Sequence, residues 1–120
     1  MTLHHVAVEI RREQTEECAA FYELLGFERI EPPPTLVDRA AWLERGGTHV
    51  HLLFADEPVA APMGHLAVVA DDYGATLQRL HDAGHETMPG GVHWGSPRIF
   101  VRDPAGHVVE VMAFPPGGGA

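Results

Sequence analysis

The chain repeats itself at a spacing of 58 to 60 residues, and this limits its possible folds more than any other feature. His5-Val6-Ala7-Val8 matches His65-Leu66-Ala67-Val68. Phe21-Tyr22-Glu23-Leu24-Leu25-Gly26-Phe27-Glu28 matches Arg79-Leu80-His81-Asp82-Ala83-Gly84-His85-Glu86. Gly47-Thr48-His49-Val50-His51-Leu52 matches Gly106-His107-Val108-Val109-Glu110-Val111. Three ordered matches at a near-constant offset mark a structural duplication. Within 120 residues this means two small modules sharing one core. A chain of this size buries roughly two-thirds of its unfolded surface, enough to fold without covalent staples.

Each half reads strand, helix, then three strands, which predicts an α+β fold of two βαβββ modules. The first module covers residues 1–54, with strands at 3–10, 27–31, 39–45 and 48–54. Its helix runs from about Thr15 to Leu25, with Cys18, Phe21, Leu24 and Leu25 on one side and Gly26 as its stop. Residues 55–63, rich in Pro and Ala, form the linker. The second module covers 64–114, with strands at 64–70, 85–89, 97–102 and 107–114 and a helix at 72–83. Asp103-Pro104-Ala105-Gly106 is a turn signal between its last strands. The tail 115–120, Pro-Pro-Gly-Gly-Gly-Ala, has nothing to bury and is expected to be mobile.

Composition excludes several partner classes. The 8 basic residues are all Arg and face 17 acidic ones, a net charge of −9 that opposes binding to a phosphate backbone. No apolar run approaches the ~20 residues of a membrane span. The single Cys18 rules out an internal disulfide framework. The start Met1-Thr2-Leu3-His4-His5-Val6 lacks a charged leader and cleavage site, so the expected location is cytoplasmic. The unusual count is nine His. Metal sites, acid–base sites and pH-sensitive surfaces all use this side chain.

Alternation along the strands separates these histidines by face. Val6, Val8 and Ile10 belong under the helix, which leaves His5, Ala7 and Glu9 on the other face. In the same way Val50, Leu52 and Phe54 oppose His49, His51 and Leu53; Leu66 and Val68 oppose His65, Ala67 and Val69; Val109, Val111 and Ala113 oppose Val108, Glu110 and Met112. His5, His51, His65 and Glu110 thus occupy equivalent places in equivalent modules, all facing away from the helices. If the two sheets curve together, the four converge in one concavity. Imidazole nitrogen and carboxylate oxygen suit one divalent ion: Zn²⁺, Ni²⁺, Co²⁺, Fe²⁺ or Mn²⁺. Without a metal, a buried Glu110 would lack partners. His49 flanks the set. His81, His85 and His107 are expected at the surface, and His93, beside Trp94 in a Gly-flanked loop, is a candidate substrate contact.

These residues resemble the vicinal oxygen chelate superfamily, which includes glyoxalase I, bleomycin-resistance proteins, fosfomycin-resistance enzymes, methylmalonyl-CoA epimerase and extradiol dioxygenases. The resemblance rests on Leu3-His4-His5-Val6-Ala7-Val8, on Phe21-Tyr22-Glu23-Leu24-Leu25-Gly26-Phe27, on His65-Leu66-Ala67-Val68-Val69-Ala70-Asp71-Asp72, and on the segment from Phe100 to Val111. It implies a curved open sheet forming a cup, with His5, His65 and Glu110 as metal ligands and His51 at the variable fourth position. That position is Glu in glyoxalase I and Gln in the epimerase. It further implies a homodimer whose site is completed across subunits, and a small-molecule substrate held by vicinal oxygens while an enolate develops. Glu110 is the first candidate to move the proton, with Glu9 second. Trp42, Phe100 and Met112 are candidate walls, and Arg98 a candidate partner for an anionic substrate group. Ala7 stands where fosfomycin enzymes carry Thr, and both tyrosines, Tyr22 and Tyr73, fall on helices, unlike the iron-site Tyr of extradiol dioxygenases. The implied activity is a lyase or isomerase of glyoxalase type. The alternatives are a metal-free ligand-sequestering resistance protein, a single-domain Fe(II) dioxygenase, and a partner-binding protein with a vestigial site.

Overall fold

The computed structural model describes residues 1–115. Most of the predicted tail lies outside the described residues. The first module runs β1 (His5–Ile10), a short 3₁₀ turn (Arg12–Gln14), α1 (Thr15–Leu24), β2 (Glu28–Ile30), β3 (Ala40–Arg45) and β4 (Thr48–Phe54). The second runs β5 (Leu66–Val69), α2 (Tyr73–Asp82), β6 (Thr87–Pro89), β7 (Arg98–Arg102) and β8 (Val108–Met112). The two sheets have the same order, β1-β4-β3-β2 and β5-β8-β7-β6. In each, the first strand pairs parallel with the last, and the others pair antiparallel. The predicted duplication and α+β class are both present. The predicted strand 48–54 coincides with β4, the others are one to three residues longer than the observed ones where they run into loops, and His65 sits just ahead of β5 rather than within it.

The helices end by the same device. The amide of Phe27 donates to the Tyr22 carbonyl and that of Gly26 to Glu23, and in α2 His85 donates to Leu80 and Gly84 to His81. Each stop needs a left-handed residue, supplied by Gly26 at φ 96° and Gly84 at φ 85°. At the start of α2, the Asp72 carboxylate accepts from the Ala75 amide at 3.0 Å.

The apolar strand faces and both helices form one buried cluster. It includes Ile10, Cys18, Phe21, Tyr22, Leu43, Val50 and Leu52 from the first module, and Leu80, Val101, Val109 and Val111 from the second. Polar ties join the same halves. Tyr22 Oη donates to Asp103 Oδ2 at 2.7 Å. His107 Nε2 donates to the Glu9 carbonyl at 2.6 Å. Arg45 pairs with Asp71 at 2.7 Å and donates to the Val69 carbonyl. His107 is therefore buried, not a surface residue, because the β7–β8 turn packs against the edge of β1. His85 is half-buried with its ring 5.0 Å from that of Phe21, where solvation was expected.

Cys18 lies wholly inside this core. Burial first, then the nearby charges of Asp103 and Glu17, push its thiol up to about 12. Since the thiolate is the reactive form, Cys18 in the native protein should resist disulfide-exchange reagents at pH 8 and react at once in denaturant. Native labelling within minutes would contradict this burial.

Candidate functional site

Because both sheets turn their helix faces toward the shared core, the residues alternating with core positions face outward. His51 alternates with Val50 and Leu52, and Glu110 with Val109 and Val111. Each sheet carries one row of side chains on that outward face. Register places Ala7, His51, Trp42 and Ile30 side by side in the first sheet. It places Ala67, Glu110, Phe100 and Met88 side by side in the second. These rows occupy equivalent places in the two modules.

The first half-site is aromatic and rich in imidazole. The His51 ring is sandwiched between the Trp42 indole (centroids 3.9 Å apart, planes within 2°) and the His5 ring (4.1 Å, 19°). Its Nε2 lies 3.1 Å from His49 Nδ1, and His4 Nδ1 lies 2.9 Å from His5 Nδ1. His49 and His4 also pack ring on ring at 4.4 Å. Alternation through the predicted strand 3–10 puts His4 on the face opposite His5, but β1 begins at His5, and His4, outside the regular pleat, joins His5 and His49 instead. His51 is only 6% exposed. Burial first, then the neighbouring His5, His49 and His4, lower its pKa from 6.5 to about 4.

This shift has a sign that can be checked. The unfolded His51 takes up its proton near pH 6.5 and the folded one near pH 4. The stabilising effect is complete above pH 6.5 and lost as the pH falls toward 4. For the metal-free chain the loss should be on the order of 2 kcal/mol. In urea titrations at pH 7 and pH 4.5, His51→Gln should show a smaller loss than the wild type by about that amount.

The second half-site is built around a buried carboxylate. Glu110 is 6% exposed. Its Oε1 lies 3.1 Å from His65 Nε2 and its Oε2 accepts from Arg98 Nη1 at 3.1 Å. The Phe100 ring stands edge-on to His65 at 5.4 Å and beneath the Arg98 guanidinium at 5.3 Å. Contrary to expectation, Glu110 has partners without a metal, and no buried side-chain nitrogen or oxygen among the described residues lacks one.

The His65 contact fits a cation. His65 Nδ1 lies 3.1 Å from the Met63 carbonyl, and a carbonyl only accepts, so Nδ1 carries the hydrogen. In the neutral ring Nε2 then points a lone pair at the lone pairs of Glu110 Oε1. Only a proton or a cation between them makes this contact attractive. Two ligand atoms at right angles on an ion with ~2.1 Å bonds stand about 3 Å apart, which matches the 3.1 Å separation. The Met63 carbonyl plays the orienting part that a metal-bound imidazole ordinarily requires.

The four expected ligands do not meet within one chain. His5 stands with His51, and His65 with Glu110. Among the described residues no three His, Cys, Asp or Glu side chains share a point where one ion could bind. The modules share a core on their helix sides, and the two pairs stand apart on the opposite faces of their sheets. The remaining candidates divide. His49 and Trp42 join the first half-site; Phe100, Arg98 and the buried Met112 lie on the second sheet. Glu9 is on the expected face, but its Oε1 accepts from the Val59 amide at 3.0 Å and so holds the linker. His93 is exposed in the β6–β7 loop beside Trp94, away from both half-sites' hydrogen bonds.

Known proteins share this architecture. A Bacillus anthracis protein described as glyoxalase-family aligns with a TM-score of 0.85 at 28% identity, covering 93% of both chains. A lactoylglutathione lyase from Agrobacterium tumefaciens aligns at 0.70 and 22% identity, covering 92% of each. A glyoxalase/dioxygenase from Nostoc punctiforme aligns at 0.70 and 18% identity, covering 95% of this chain and 91% of its own. No curated protein sequence matches. No helix among the described residues is long and apolar enough to cross a membrane. The model of the Glyoxalase/Bleomycin resistance protein/Dioxygenase superfamily matches residues 2–111, nearly the whole repeat-bearing chain, and the protein belongs to that superfamily.

Proposed function

We propose that the protein is a homodimeric metalloenzyme of glyoxalase type, a lyase or isomerase acting on a small molecule with two neighbouring oxygens. Each site takes His5 and His51 from one protomer and His65 and Glu110 from its partner. The observation that carries this reading is the His65 Nε2–Glu110 Oε1 contact at 3.1 Å: with Nδ1 turned to the Met63 carbonyl, Nε2 and the carboxylate oxygen meet where a proton or a metal cation bridges them. The outward placement of both half-sites supports a second copy as the source of the missing ligands.

The bound ion would act as a Lewis acid on the developing enolate. Glu110, a carboxylate at the edge of the site, moves the proton between neighbouring carbons. His51, locked between Trp42 and His5, is held neutral and keeps a ring nitrogen available as a donor. Phe100 and Trp42 supply an apolar wall that excludes water from the reacting carbon. The chain's net charge of −9 favours cation uptake at the expense of anionic ligands elsewhere on the surface.

Elemental analysis of untagged protein tests this. The expectation is about one divalent ion per chain in the wild type and a loss of at least tenfold in occupancy in His65→Ala and Glu110→Ala. Hemithioacetals, acyl-CoA thioesters and catechols are then the substrates to screen. A wild type that takes up no metal after reconstitution would overturn the proposal in favour of a ligand-sequestering cup.

A further inference from the structure

Arg98 sits in a seat shaped for it. Its Nη1 donates to Glu110 Oε2 at 3.1 Å and its Nε to the Gly91 carbonyl at 3.3 Å. The side chain is only 15% exposed and its guanidinium lies over the Phe100 ring. Gly90 closes the seat: its amide donates to the Arg98 carbonyl at 3.2 Å. A Cβ added at Gly90 would stand 2.9 Å from Arg98 Cγ, 3.1 Å from its carbonyl oxygen and 3.2 Å from Phe100 Cε2. The position is therefore kept free of a side chain so that Arg98 and Phe100 can close over it. No such grip is needed for an arginine that merely solvates a strand edge.

Its consequence falls on Glu110. The two carboxylate oxygens have different partners, Oε1 facing His65 and Oε2 held by Arg98. We infer that Arg98 is a positioning residue that pins Oε2, so that Glu110 meets a cation with Oε1 alone. This rests on the metal reading above and adds to it a rule of ligation. A free carboxylate can turn to offer both oxygens to an ion. One whose second oxygen is tied to a buried guanidinium cannot, because turning would leave that guanidinium unpaired. A one-oxygen ligand leaves a coordination position open for substrate.

Co²⁺ is the probe, because its visible absorption reports coordination number and geometry. Wild type, Arg98→Met, Arg98→Lys and Gly90→Ala are titrated with Co²⁺ as full-length protein, with circular dichroism as the check of folding. In Arg98→Met the released carboxylate should chelate through both oxygens. The absorption per bound ion should fall about twofold as the coordination number rises, and Co²⁺ affinity should change by about tenfold. Gly90→Ala, which displaces the guanidinium without removing charge, should move the spectrum in the same direction. Arg98→Lys keeps a cation near Oε2 and should recover much of the wild-type spectrum. If Arg98→Met does not fold, Gly90→Ala and Arg98→Lys decide the outcome. Wild-type spectra and affinities in the variants would overturn the positioning role and leave the metal site standing. A wild type with no Co²⁺ spectrum would overturn the metal reading and this role with it.

Discussion

Replacing Asp103 by Ala should lower the unfolding free energy by about 3 kcal/mol or more. For a chain of this size that corresponds to a fall in Tm of roughly 10 °C or more. Asp103 is 3% exposed and makes three hydrogen bonds through its carboxylate. Oδ1 accepts from the amides of Ala105 and His107 at 3.0 and 2.9 Å, which shapes the β7–β8 turn. Oδ2 accepts from Tyr22 Oη at 2.7 Å, which ties that turn to α1 of the other module. The substitution frees two turn amides and leaves a fully buried phenol without its partner, and an unmet buried polar group costs about 1–3 kcal/mol. Tyr22→Phe removes only the last of these bonds and should cost about 1 kcal/mol. The double variant should lose less than the two single losses combined, because the shared bond is then counted once. Chemical denaturation of the four proteins measures this. Strictly additive losses would show that the tie between modules contributes nothing. The phenol supports the assignment: burial first, then the Asp103 carboxylate, hold its pKa well above the ordinary value, so Tyr22 remains a donor throughout the working pH range.

Much of this architecture was legible before any coordinates. The 58–60 residue offset foretold two identical sheets, and period-2 alternation put His51 and Glu110 on the faces opposite Val50 and Val109. Those signals are local, so the sequence carries them openly. The misreadings concern contacts between modules. His107 looked like a turn residue on a free surface, yet it is buried against the Glu9 carbonyl because another module lies there. His85 meets Phe21 for the same reason. The convergence of four ligands in one chain also depended on how the modules pack, and alternation says only which face a residue takes. Gly90 gave no sign beyond its pairing with Gly91, since a glycine kept for lack of space is not distinguishable in sequence from one kept for its turn.

The proposed site between two protomers makes a prediction that a site within one chain cannot. His5→Ala and Glu110→Ala should each bind at most a tenth of the wild-type metal when purified alone. In a homodimer of either variant both sites are damaged, because each site takes one half from each protomer. In a mixed dimer the damage is gathered into one site: the defective first half of one chain faces the defective second half of the other. The remaining site then has His5, His51, His65 and Glu110 all intact. Unfolding the two variants together and refolding them at equal concentration should yield half mixed dimers by random pairing of a two-fold assembly, and so about a quarter of the wild-type metal content. Mixing the double variant His5→Ala/Glu110→Ala with wild type reaches the same total by a different route. Every mixed dimer then has one half-damaged site of each kind, and only wild-type homodimers keep complete sites, again about a quarter of the total. The two mixtures differ in which dimers hold the metal. Light scattering with elemental detection on dimers separated by a charge tag should find it in the mixed species in the first case and in the wild-type species in the second. Almost no metal in the first mixture, and half the wild-type content in the second with mixed dimers also carrying it, would place the ligand set within one protomer and would require the two modules to rearrange about the core that Tyr22 and Asp103 now hold together.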